Sequence, residues 1–173
     1  MAVDESRADP VEDKSWVSVT INGSKQDYLV EQRLSLADFI RNQVGLKGTH
    51  LGCEHGSCGA CTVIIDDRAV RSCLMFAVQS DGSSIETVEG LAIDGVLSPL
   101  QESFQANHAL QCGFCTSGFL MSLVARLREG PIDTESEARE ALSGNICRCT
   151  GYSGMVAAIL EQSNSIQGIK ENS

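Results

Sequence analysis

Eight cysteines fall into two groups of four with none left over: Cys53, Cys58, Cys61 and Cys73, then Cys112, Cys115, Cys147 and Cys149. The first group reads C-x4-C-x2-C-x11-C and the second C-x2-C-x31-C-x-C. Four thiolates at one site are the ligand complement of a tetrahedral metal ion or of a [2Fe–2S] cluster. A fold for this chain must therefore wind one short loop around three ligands and bring two distant pairs together.

The opening C-x4-C-x2-C is the spacing of plant-type [2Fe–2S] ligation. Its loop, Gly52 to Thr62, reads GCEHGSCGACT. Gly52, Gly56 and Gly59 permit unusual backbone angles and close approach. The N–H groups they bare donate to sulfur, which stabilises a reduced cluster and raises its potential, whereas burial acts the other way. Zinc held by four cysteines also accepts C-x2-C pairs, so spacing alone leaves zinc open, more so at the second group than the first. Disulfides fit poorly, because a Cys147–Cys149 bridge would close a loop around a single residue.

The second group is predicted at helix starts. Cys112 and Cys115 immediately precede one helical pattern, and Cys147 and Cys149 lie just before another. Unpaired N–H groups and the partial positive charge of a helix N-terminus favour an anionic centre there. His55 sits between two cysteines and invites a mixed His/Cys centre, but each group is already complete, so it reads as a solvated loop residue. His50 and His108 have no evident catalytic partners. No acid–base pair, nucleophile constellation or Walker-type loop is visible, so substrate chemistry is not expected on this chain.

A net charge of −10 and a pI of about 4.6 argue against a nucleic-acid partner, since phosphate contact needs clustered Lys and Arg. The start of the chain lacks a basic, then apolar, leader pattern, and no stretch approaches the length of a membrane span. A cytoplasmic location is expected, where a cysteine pattern more often means metal than disulfide.

The first half reads as strands around one helix. Trp16 to Ile21 is β-rich, Asn22-Gly23 is a tight-turn signal, and Lys25 to Val30 returns. Ser35 with Asp38 opens a helix whose apolar face is Leu36, Phe39, Ile40 and Val44. Thr62 to Ile65 is a strand, Asp66-Asp67 a turn, Arg68 to Arg71 a short return, and Thr87 to Leu91 is expected to close the sheet. The second half is helical, with starts at Ser98-Pro99-Leu100-Gln101, near Thr116, at Thr134 with Glu137, and at Ser153; Gly130-Pro131 ends the second helix. The fold class is α+β: residues 1–14 a tail, 15–91 a sheet-and-helix domain, 92–97 a linker, 98–162 a four-helix bundle, and 163–173 a loose tail.

Three motifs, GCEHGSCGACT (52–62), QCGFCTSG (111–118) and GNICRCTGY (144–152), carry a resemblance. The chain resembles the small iron–sulfur subunit of molybdenum hydroxylases of the xanthine dehydrogenase class, from about Trp16 to Leu160, with all eight cysteines in register. The resemblance implies a β-grasp, plant-ferredoxin-like first domain and a four-helix second domain, with a [2Fe–2S] cluster on each group of four cysteines. It also implies a large partner subunit that oxidises substrate at a molybdenum–molybdopterin dinucleotide, a medium FAD-binding subunit, and a dimer of heterotrimers. Electrons would pass singly from the pterin to the Cys112/Cys115/Cys147/Cys149 cluster, then to the Cys53/Cys58/Cys61/Cys73 cluster, then to FAD or another acceptor. Gln111 would hydrogen-bond the pterin, and Cys149 would be the ligand nearest to it. The substrate would bind on another chain, an N-heteroaromatic compound by family frequency.

Overall fold

A computed structural model describes residues 13–171, with side chains through 162. Most of the expected N-terminal tail therefore lies outside the described residues. Five strands form one mixed sheet: β1 (Lys14–Ile21), β2 (Ser24–Glu31), β3 (Thr62–Ile65), β4 (Arg68–Arg71) and β5 (Ser84–Glu86), in the order β2-β1-β5-β3-β4. Only β1 and β5 run parallel; the other neighbours are antiparallel.

The hairpins form as their turn residues require. Asn22 and Gly23 adopt φ of 48° and 81°, and Asp66 and Asp67 adopt 46° and 67°. Two consecutive left-handed residues give the turn whose twist matches the flanking strands. After β2, Ser35 caps α1 (Leu36–Asp38): its hydroxyl accepts from the Asp38 N–H at 3.0 Å. The helix then widens into a π-type segment, Phe39–Val44, which ends at Gly45 with φ 90°. Leu36, Phe39 and Ile40 are fully buried against Val17, Val19, Val30, Val63 and Ile85, so the predicted apolar face is the one that packs, on wider helical geometry.

One strand is corrected. The sheet is closed by β5, and residues 87–91, predicted as that strand, instead form a turn around the 3-10 segment Val88–Gly90. The Asn22 side chain accounts for the break. Its Oδ1 accepts from the Thr87 N–H and its Nδ2 donates to the Thr87 hydroxyl, both at 2.9 Å.

The helical half comprises α2 (Pro99–Ala106), α3 (Thr116–Glu129), α4 (Glu135–Leu142) and α5 (Ser153–Glu171). Ser98/Gln101 and Thr134/Glu137 form reciprocal capping boxes, each satisfying two backbone donors at its helix start. Phe104, Phe119, Leu123, Ile132, Leu142, Met155 and Ile159 fill the core between these helices. The α5 backbone continues to Glu171, beyond residue 163 where a loose tail was expected. The expected linker, 92–97, contains a small bridged turn in which Ile93 and Val96 exchange backbone hydrogen bonds.

Strand β3 joins the two halves. All four of its residues are buried; Val63 and Ile65 face the α1 side, while Ile64 packs on Met121 and Ala125 of α3. A short apolar run without alternation is what burial on both faces of a sheet demands. At the far end of α3, Arg128 reaches back to Glu86 of β5 through two 2.8 Å hydrogen bonds.

Candidate metal centres

All eight cysteines are free thiols, and each group's members interact with one another. In the first group Cys53 lies beside Cys58 and Cys73 beside Cys61, and the charges of the two pairs also act on each other. In the second, Cys112 and Cys149 lie with sulfurs 3.5 Å apart, and Cys115 pairs with Cys147. Among the described residues, no three His, Cys, Asp or Glu side chains converge in the way a single bound ion requires.

Backbone donors surround the first loop. The Cys58 N–H points at the Cys53 sulfur at 3.4 Å, and with the His55 N–H it holds the Cys53 thiol down to about 6. Burial pushes the Cys73 thiol up to about 11. Gly56 and Gly59 hold positive φ, of 87° and 73°, as the loop reading anticipated; at Gly52 a Cβ would lie 3.1 Å from the Cys58 sulfur, a tight contact that the neighbours would have to ease. His55 is exposed, and its ring donates to the Cys53 carbonyl.

The second group sits at helix starts, as predicted. Cys115 is the residue before the first turn of α3, and Cys147 and Cys149 lie on the loop before α5. Burial pushes the Cys115 thiol up to about 12. At Cys147 burial also raises the thiol, but the Thr150 hydroxyl, at 3.2 Å, and nearby backbone N–H groups outweigh it and leave the thiol lowered. The Tyr152 hydroxyl accepts from the Cys147 N–H at 2.8 Å. Thr116 Oγ1 and Ser117 Oγ, at the start of α3, are buried without a partner among the described residues. Orphaned hydroxyls beside a thiol group, with N–H groups aimed at sulfur, suit an anionic sulfur-rich centre.

Two of the second group's thiols face outward. Cys112 and Cys149 are exposed, with exposed Leu110 and Ile146 nearby in the chain. Gln111 is exposed beside Cys112, and no hydrogen bond ties its amide to the described residues.

The two loops are stitched together by residues that motif reading did not single out. The Asn145 side chain, 3% exposed, donates to the Gly59 carbonyl at 2.9 Å and accepts from the Ser122 hydroxyl at 2.9 Å. The Ile146 N–H donates to the Cys58 carbonyl at 3.0 Å. Arg71 donates to the Thr62 hydroxyl and to the Gly144 carbonyl. His50, read from sequence as lacking a catalytic partner, stacks on Phe114 at 4.8 Å and donates to its carbonyl. A Cβ on Gly118 would lie 2.2 Å from the Gly59 oxygen, so only glycine lets α3 come this close. The one signal in the sequence was that Gly59, Gly118, Gly144 and Asn145 sit inside the cysteine motifs.

Comparison with known proteins agrees with this arrangement. Residues 19–92 match the 2Fe-2S iron-sulfur cluster binding domain, and residues 87–160 match the [2Fe-2S] binding domain. The chain is 54% identical over 154 residues to the nicotine 6-hydroxylase small subunit of Paenarthrobacter nicotinovorans, covering 89% of this chain and 93% of that one. It is 53% identical over 146 residues to caffeine dehydrogenase subunit gamma of Pseudomonas sp. strain CBB1, covering 83% and 87%. Among solved structures, quinoline 2-oxidoreductase from Pseudomonas putida 86 matches with a TM-score of 0.86 and 48% identity, over 90% of this chain and 98% of the matched chain. Among the described residues no helix is long and apolar enough to cross a membrane. This chain therefore belongs to the family of small iron–sulfur subunits of the molybdenum hydroxylases.

Proposed function

We propose that this chain is the electron-relay subunit of a multi-subunit molybdenum hydroxylase and holds two [2Fe–2S] clusters, on Cys53, Cys58, Cys61 and Cys73 and on Cys112, Cys115, Cys147 and Cys149. The observation that carries the reading is that each of the two matched [2Fe-2S] binding domains contains one whole group of four cysteines. A diiron cluster takes two thiolates on each iron, so four cysteines complete one cluster. Each cluster, when bound, supplies a site that accepts and returns one electron.

The chain's residues divide the work by exposure. Cys112 and Cys149 present sulfur at the surface, and Gln111 offers a free amide beside them. We assign this face to the pterin of a large subunit, with Gln111 hydrogen-bonding it and Cys149 nearest to it. The Cys53 group lies behind, joined through Asn145 and Ile146, and is the second station. From there electrons leave towards FAD on a medium subunit. The exposed Leu74 and Phe76, just beyond Cys73, suit a protein contact at that exit. In finer detail, the sheet half is a β-grasp domain spanning 15–91, the helical half a four-helix bundle spanning 98–162, and the complex a cytoplasmic dimer of heterotrimers. Relatives named for nicotine, caffeine and quinoline support an N-heteroaromatic substrate bound by the large subunit.

Cys149→Ser in the purified complex tests the order. Substrate should no longer reduce the Cys53-group cluster, while dithionite still should; normal substrate-driven reduction would overturn the assignment. Gln111→Ala should leave both clusters intact and slow their reduction by substrate, and an unchanged rate would remove its role.

A further inference from the structure

Arg71 is a half-buried cation with no carboxylate partner among the described residues. Its guanidinium rests on neutral oxygens only, the Thr62 hydroxyl and the Gly144 carbonyl. Partial burial removes some of the water that would otherwise solvate its charge, and an opposite charge nearby offsets that loss. The chain carries net charge −10, so carboxylates are abundant, and none is placed here. The site joins the two segments that carry the thiol groups. Thr62 follows Cys61, Arg71 itself is two residues from Cys73, and Gly144 is three residues before Cys147. Resting on the cluster reading above, each group of four thiolates around a diiron core is an anion, and the two supply the missing countercharge.

We propose that Arg71 is a positioning and potential-setting residue shared by both clusters. Its fork holds the second loop against the first, and its positive charge favours an added electron at either site. An electron arriving at one cluster makes it more negative and, through space, disfavours reduction of its neighbour. A cation held by both segments offsets part of that penalty, which keeps both stations usable in the same molecule. Lys would keep the charge but not the two-oxygen fork.

The test is EPR-monitored redox titration of the purified complex with wild-type chain, Arg71→Gln, Arg71→Met and Arg71→Lys. The neutral variants should lower both midpoint potentials, each by more than about threefold in the reduction equilibrium, or about 28 mV for a one-electron couple. Arg71→Lys should restore most of that shift. The sign separates charge from structure, because merely opening the loops admits water and raises the potential of an anionic cluster. Unchanged or raised potentials in the neutral variants would overturn the proposal. If neither neutral variant retains clusters while Arg71→Lys does, the requirement for charge stands; if Arg71→Lys also loses them, it falls. Iron content and EPR signals of the wild-type complex test the cluster reading separately, since without clusters there are no potentials to compare.

Discussion

The Gly59 carbonyl accepts three hydrogen bonds, from the Thr62 N–H at 3.1 Å, the Thr62 hydroxyl at 2.6 Å and the Asn145 amide at 2.9 Å. It is the point where the two cysteine loops meet, and α3 approaches it through Gly118. Gly118→Ala places a methyl carbon where only about 2.2 Å separates it from that oxygen, so helix or loop must move. Overpacking of this kind costs ~1–3 kcal/mol or more. The expected result is a lower unfolding temperature together with partial loss of iron from both centres; full iron content at unchanged stability would contradict the packing. Asn145→Ala leaves the Gly59 carbonyl short of one donor and the Ser122 hydroxyl without its acceptor, at a cost of ~1–3 kcal/mol in chemical denaturation. The eight cysteines, Gly56 and Gly59 were legible in sequence because ligand spacing and tight loops tolerate few residue types. Arg71 and His50 were not, because the loop partners they reach lie 73 and 64 positions away, and Asn145 was marked only by its place inside a cysteine motif, its Gly59 partner lying 86 positions away.

At the level of elements, caps and turns were read well where the signal was local. Ser98 forms its capping box with Gln101, and Ser98→Ala should cost ~1 kcal/mol in unfolding free energy. The closing strand was misplaced because Thr87 and Val88 have strand-like side chains, whereas their backbone is diverted by Asn22, 65 positions earlier. The wider turn of Phe39–Val44 was also hidden, since an apolar stripe looks much the same on either helix. The pairing of α3 with β5 has its own pH signature. The Arg128 guanidinium holds the Glu86 carboxyl below its usual range. A carboxylate depressed in the folded state contributes stability above its unfolded value and loses it as pH falls through the folded one. Wild type should therefore be more stable than Glu86→Gln at neutral pH and lose that advantage under acid. Both partners are more than a third exposed, so the difference should be only ~0.5 kcal/mol and should shrink in high salt. A difference that persisted once the Glu86 carboxyl is fully protonated would mean the pair is not its source.

Over the whole molecule, two separately cored halves are tied at both ends of α3, by the cysteine loops at its start and by Arg128 near its end. The sequence implied two units and a linker between them; it did not imply how closely they dock, because Ile64, Met121 and Ala125 look like ordinary core residues until β3 is seen to be covered on both faces. That docking fixes one cysteine loop against the other through the buried Asn145 side chain. Whether both thiol groups hold [2Fe–2S] clusters is decided by measuring iron, acid-labile sulfide and zinc in anaerobically purified protein, with low-temperature EPR after dithionite reduction. Two irons and two sulfides are expected for each group of four cysteines, with two distinguishable S = 1/2 signals. One zinc per group in a colourless, EPR-silent sample would contradict the cluster reading.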